Sequence, residues 1–125
     1  MKRFMYKILM VLLVVSPALF GACKKKDPSV LKVYVRSASN ALQSGAKVVV
    51  VGDLQSNPPT LEHVDTLITN ESGFVAFDMD KYFNTSGEAT TGYFDIIVKK
   101  DGKEADGYVR CRKHITTVET IFLPN

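Results

Sequence analysis

Apolar and polar residues alternate along most of this chain. In residues 30–37, Leu31, Val33 and Val35 alternate with Lys32, Tyr34 and Arg36. A period of two sends one set toward a core and the other toward water. Residues 46–51 repeat the pattern, with Ala46, Val48 and Val50 on one face. Val49 and Val51 predict partial cover on the other. Residues 53–62 contain Pro58-Pro59 and read as a loop, because proline donates no ladder hydrogen bond. Residues 63–69 predict a third strand. Asn70-Glu71-Ser72-Gly73 predicts a tight hairpin turn into residues 74–79, where Val75, Phe77 and Met79 share a side. Residues 80–92 are polar, with one helical turn expected from Asp80 to Asn84. Phe94, Ile96 and Val98 point inward from residues 93–100, and Asp101-Gly102 is a two-residue hairpin signal. Residues 103–112 and 115–123 supply two more strands, with Ile121 and Leu123 assigned to the core.

No segment of useful length after residue 23 carries a helical period. Seven short strands predict an all-β domain, a seven-stranded antiparallel sandwich of two sheets. Its Val- and Ile-rich interior suits a pleated surface.

The first 22 residues follow a different pattern. Lys2, Arg3 and Lys7 precede an unbroken apolar run over residues 8–15, Ser16-Pro17 breaks it, and Gly21 and Ala22 precede Cys23. Charged, apolar and small-residue regions in this order mark a secretory signal. The run is too short to span a bilayer, which takes roughly 20 apolar residues. Leu19-Phe20-Gly21-Ala22-Cys23 resembles the lipobox of bacterial lipoproteins, although Phe20 stands where Leu is usual. The resemblance implies cleavage before Cys23, a diacylglyceryl thioether on its sulfur, and a fatty acyl group such as palmitate on the new amine. It divides the chain into a signal peptide (1–22), a lipidated Cys with a basic tether (23–29) and a β-sandwich domain (30–125). The implied partner is a membrane. The implied location is the cell envelope, with Lys24 favouring the outer membrane of a Gram-negative bacterium.

The formal net charge of +3 is carried by the N-terminal region, since residues 27–125 hold 10 basic and 13 acidic side chains. A nucleic-acid binder would concentrate positive charge on the folded domain, so that class of partner is excluded. Lys24, Lys25 and Lys26 would favour anionic headgroups beside a lipid anchor.

The strand pattern resembles the transthyretin-like and carboxypeptidase-regulatory-like family of Ig-like (prealbumin-like) sandwiches. Gly45-Ala46-Lys47-Val48-Val49-Val50 matches its Gly-Ala-x-Val-x-Val opening. Thr69-Asn70-Glu71-Ser72-Gly73-Phe74-Val75-Ala76-Phe77 matches its turn and return strand. Tyr93 to Val98 before Asp101-Gly102, and Thr116-Thr117-Val118 before Ile121 to Leu123, match its last elements. The resemblance implies an Ig-like fold, which does not fix function.

Candidate chemistry is sparse. His63 and His114 lack His or Cys neighbours at metal-ligand spacing and read as surface residues. Asp78 and Asp80 do not form a calcium loop, and no phosphate-binding glycine loop or nucleophile elbow is present. Cys111 alternates with Val109 and is expected in the core. Some transthyretin-related proteins hydrolyse a purine breakdown product with a C-terminal Tyr-Arg-Gly-Ser, whereas this chain ends Phe122-Leu123-Pro124-Asn125. Asp65-Thr66-Leu67 resembles an O-glycosylation signal of some Gram-negative anaerobes, which makes Thr66 a candidate acceptor. Tyr34 and Arg36 share one strand face, as do Tyr108, Arg110 and Arg112. Together these five form a candidate binding face, because aromatic and Arg side chains favour recognition surfaces. The expectation is a protein without enzymatic activity or cofactor, an accessory module for a protein or glycan partner. The alternative is a structural or adhesin-type subunit that assembles through an edge strand. A transthyretin-related hydrolase ranks third.

Overall fold

The computed structural model describes residues 26–125. The signal peptide and Cys23 lie outside the described residues. Seven strands and one helix follow in order: β1 (Val30–Arg36), β2 (Lys47–Gly52), β3 (Val64–Ile68), β4 (Phe74–Asp78), α1 (Asp80–Thr85), β5 (Thr91–Lys100), β6 (Lys103–Arg112) and β7 (Thr116–Phe122). They form a three-stranded sheet of order β4-β1-β7 and a four-stranded sheet of order β3-β2-β5-β6.

The alternation in the sequence survives as burial. Leu31, Val33 and Val35 of β1 and Val48 and Val50 of β2 are fully buried, as are Phe94, Ile96 and Val98 of β5. Ile121 and Leu123 close the core from the end of the chain. Both sheets contribute to this one cluster, so they pack face to face as a sandwich. Each such Val, Leu, Ile or Phe contributes about 1.5–3 kcal/mol relative to exposure.

Two expectations about pairing need correction. The strands are not all antiparallel, because β1 pairs with β7 in parallel, Val30 facing Thr116 through Arg36 facing Phe122. A parallel pair needs a long crossover, and here the whole domain between the first and last strands supplies it. Alternation reports which face is buried and is blind to strand direction. Nor is the turn at Asn70–Gly73 a hairpin. β3 pairs with β2 and β4 pairs with β1, so this turn carries the chain from one sheet to the other. Gly73 has φ +75°, and a Cβ there would lie 3.1 Å from the Gln43 nitrogen. Thr69 fixes the departure point: its hydroxyl donates to Gln43 O at 2.6 Å and accepts from Ala46 N at 2.9 Å.

The β5–β6 turn is the expected hairpin. Lys100 faces Lys103 across Asp101 (φ 51°) and Gly102 (φ 77°). Positive φ at both positions is the geometry that matches strand twist in a two-residue loop. This turn sets the register of the longest strand pair.

α1 closes one end of the sandwich. Met79, Tyr82 and Phe83 are buried, and the Tyr82 ring meets Phe94 edge-on at 5.1 Å. The Tyr82 hydroxyl accepts the Leu61 N–H at 3.1 Å, tying the β2–β3 loop to the helix. At this same end the chain enters the fold. Ser29 is fully buried. Its N–H donates to Asp80 Oδ1 at 3.0 Å, its carbonyl accepts from Met79 N, and its hydroxyl accepts from His114 N at 2.7 Å. His114 Nδ1 meets the Asp27 carbonyl oxygen at 2.8 Å. The chain is thus held to this end of the fold at Asp27 and Ser29.

Candidate functional site

The β5–β6 register assembles a polar and aromatic cluster on the outer face of the four-stranded sheet. Tyr93 pairs with Arg110, Asp95 with Tyr108 and Thr91 with Arg112. Tyr93 and Tyr108 sit diagonally, and their rings stack with centroids 6.2 Å apart and planes 22° apart. The Tyr108 hydroxyl donates to Asp53 Oδ2 at 2.7 Å. Asp53 is itself fixed at the start of the β2–β3 loop. Its N–H donates to Tyr93 O, and its other carboxylate oxygen accepts from Gln55 N. The Asp53 carboxylate favours the neutral phenol and pushes the Tyr108 pKa up to about 12. Tyr108 remains half exposed, and Arg110 and Arg112 are exposed beside it. The result is a surface with aromatic area, two carboxylates and two guanidinium groups.

Tyr34 and Arg36 are elsewhere. They lie on the outer face of the three-stranded sheet, so the five candidate residues do not form one binding face. Alternation gives a side within each strand but not which sheet the strand joins. Tyr34 packs against Phe74 at 5.3 Å, and Lys32 Nζ lies 4.2 Å from the Phe74 ring centroid. Arg36 turns to the next loop, donating to Asn40 O at 3.3 Å and Asn40 Oδ1 at 3.4 Å. Thr66 is exposed on the edge strand β3, paired with Val49, and its N–H donates to the Asp65 carboxylate.

The histidines also need correction, since neither is a free surface residue. His63 sits against Tyr82 and Phe94 with edge-on geometry, and its Nε2 is buried with no hydrogen-bond partner. Desolvation lowers its pKa; Asp65 opposes that shift and Lys81 adds to it. His114 is half-buried and holds the N-terminal segment. His63 lies just before β3, which begins at Val64 and not at 63 as expected, and His114 lies in the β6–β7 turn; at both places burial depends on how loops close over the core. Cys111 is buried, as expected, and burial pushes its thiol up to about 12. Asp53 was missed because nothing local in the sequence links it to Tyr108, 55 residues away.

Among the described residues, no three His, Cys, Asp or Glu side chains converge as for a metal ion. No described helix is long and apolar enough to cross a membrane.

No family model and no curated protein matches the chain. Solved structures do. The chain is similar in fold to 3-chlorocatechol 1,2-dioxygenase from Rhodococcus opacus 1CP, with TM-score 0.51, 12% identity, and coverage of 81% of this chain and 61% of that one. Chlorocatechol 1,2-dioxygenase from Pseudomonas putida aligns with TM-score 0.49 and 14% identity over 79% of this chain and 61% of its own. The chain thus spans about three-fifths of the length of these enzymes. The expectation of a protein without enzymatic activity is corrected by this finding: the Rhodococcus chain, which shares the β-rich fold, is an enzyme. At this identity the likeness extends to the fold, and no substrate or reaction passes from them to this chain.

Proposed function

We propose that this chain is a lipid-anchored cell-envelope protein whose transthyretin-like, Ig-like sandwich binds a protein or glycan partner. Cys23 carries the lipid, and the protein resides in the outer membrane of a Gram-negative bacterium. The observation that carries the reading is the order of residues 1–23, basic, apolar, small and then Cys, four positions ahead of Asp27, which His114 holds to the fold. Two or more acyl chains anchor stably where one binds only marginally. The Tyr93, Tyr108 and Arg110 surface is the partner-binding face of this reading. Stacked aromatic area with flanking charge suits recognition of hydroxyl-rich or peptide ligands.

Mass spectrometry of the membrane fraction tests the anchor. The expected product begins at Cys23 and carries the mass of a diacylglyceryl group and an N-acyl chain, and Cys23→Ala abolishes both cleavage and membrane retention. An uncleaved, unmodified N-terminus would sink the reading.

A second reading, assembly through an edge strand, is favoured by β3. This edge strand leaves Val64 and Ile68 62% and 58% exposed on its outer face. Exposed apolar edges template pairing with another chain. Concentration-dependent oligomers on size exclusion, abolished by Ile68→Lys, would support it. A monomer at all concentrations would remove it.

A further inference from the structure

We propose that the end of the sandwich formed by the β6–β7 turn and the β2–β3 loop lies on the bilayer surface, with Ile115 and Leu61 against the lipid. The inference rests on the lipid-anchor reading and adds an orientation to it.

Chain length carries the argument. Asp27 is held by His114, and Ser29 is held by Asp80, Met79 and His114. Only Lys24, Lys25 and Lys26 separate Cys23 from Asp27. Four residue steps span at most about 14 Å. An acylated Cys23 therefore keeps this end of the domain close to the headgroups. The seven residues of β1 extend about 23 Å, so the opposite end is held well away.

The surface at the near end fits such a neighbour. Ile115 follows the histidine that grips Asp27, and it is 47% exposed. Leu54 and Leu61, on the β2–β3 loop at the same end, are 60% and 51% exposed. Isolated surface aliphatics are ordinary, but here three exposed ones lie on the loops of the end nearest Cys23. The three tether lysines add attraction to anionic headgroups, together with Arg112 and Lys113 beside Ile115. Asp27, Asp53, Glu62, Asp78, Asp80 and Glu88 share this end and oppose deep insertion, so contact is shallow.

The chain contains no tryptophan, so a single introduced one reports its own surroundings. Ile115→Trp, Leu61→Trp and Leu42→Trp are placed in the mature acylated protein. Leu42 lies at the opposite end and is 49% exposed, which matches the other two. Each protein is reconstituted into vesicles of phosphatidylcholine and phosphatidylglycerol with brominated acyl chains. The expected result is quenching several-fold stronger at positions 115 and 61 than at position 42, with a blue-shifted emission. Leu61→Trp keeps the test open if Ile115→Trp fails to fold. Equal quenching at the two ends, or none at either, overturns the orientation while a Cys23 of acylated mass leaves the anchor standing. An unmodified N-terminus overturns both.

Discussion

Replacing Ser29 with alanine tests how firmly the segment before β1 is built into the sandwich. The substitution keeps the backbone bonds to Asp80 and Met79 and removes the hydroxyl. The His114 N–H, which donates to that hydroxyl at 2.7 Å in a part-buried site, then has no partner. Orphaning such a donor costs about 1–3 kcal/mol. The side chain is fully buried, so water does not replace the hydroxyl without opening the clasp. A loss near 2 kcal/mol lowers the melting midpoint of a domain of this size by roughly 8–16 °C. Urea unfolding followed by far-ultraviolet circular dichroism measures it, with Ser39→Ala as an exposed control expected within about 0.5 kcal/mol of wild type. A second readout is specific to the clasp. The Ser29 side chain, then its backbone N–H, hold the Asp80 carboxyl below its usual range. Ser29→Ala should move that pKa up, as seen in a carboxyl titration by nuclear magnetic resonance. A stability loss under about 0.5 kcal/mol would refute the reasoning about the orphaned donor. An unmoved Asp80 would refute the clasp itself.

Three further outcomes follow from other sites. Thr69→Val removes a hydroxyl that bridges Gln43 and Ala46, and should cost about 1–3 kcal/mol, because the buried Ala46 N–H and the part-buried Gln43 carbonyl lose a partner. Thr69→Ser keeps the hydroxyl and should cost only about 1 kcal/mol for the lost methyl; the reverse order in urea midpoints would be decisive against it. His63 has a folded pKa depressed by desolvation, so the fold accepts neutral imidazole and resists the proton that the unfolded chain takes up. Stability should therefore be fully present above the ordinary value of 6.5 and fall as pH drops below it. His63→Phe should flatten that slope below pH 6.5; an unchanged slope excludes His63 as its source. Asp53→Asn should return the Tyr108 phenol from about 12 toward its ordinary value of 10 in an ultraviolet titration; no change would mean that the Tyr108–Asp53 bond is absent in solution.

The buried face of nearly every strand was legible in the sequence. Leu31, Val33, Val35, Val48, Val50, Phe94, Ile96 and Val98 all point inward, because a period of two with one dry face leaves no other register. The Asp101-Gly102 turn was legible for a similar reason: its backbone geometry restricts residue type locally. Strand partners were not legible. The turn at Asn70–Gly73 satisfies the local requirements of a hairpin, yet β4 returns to β1 in the other sheet. What decides this is non-local. Thr69 is held to Ala46 and Gln43, and the Val35 N–H donates to Gly73 O at 2.8 Å. None of these contacts leaves a periodic trace. The parallel pairing of β1 and β7 was invisible for the same reason, since both strands alternate whichever way they run.

The candidate surfaces divide along the same line. Alternation placed Tyr108, Arg110 and Arg112 together correctly, because residues two apart in one strand share a face. It joined Tyr34 and Arg36 to them wrongly, because a shared side is defined only within a sheet. Asp53, the group that orients Tyr108, comes from a loop and was out of reach of any periodicity. The partly buried histidines fall in the same class: His63 is covered by a helix from another part of the chain, and His114 grips the segment that precedes β1. Sequence order locates the chemistry that acts within a strand, and tertiary closure locates the chemistry that acts between loops. The N-terminal segment belongs to both. Its residue types resemble those of an anchor, and the hydrogen bonds of Asp27 and Ser29 to Asp80, Met79 and His114 decide which end of the sandwich such an anchor would hold.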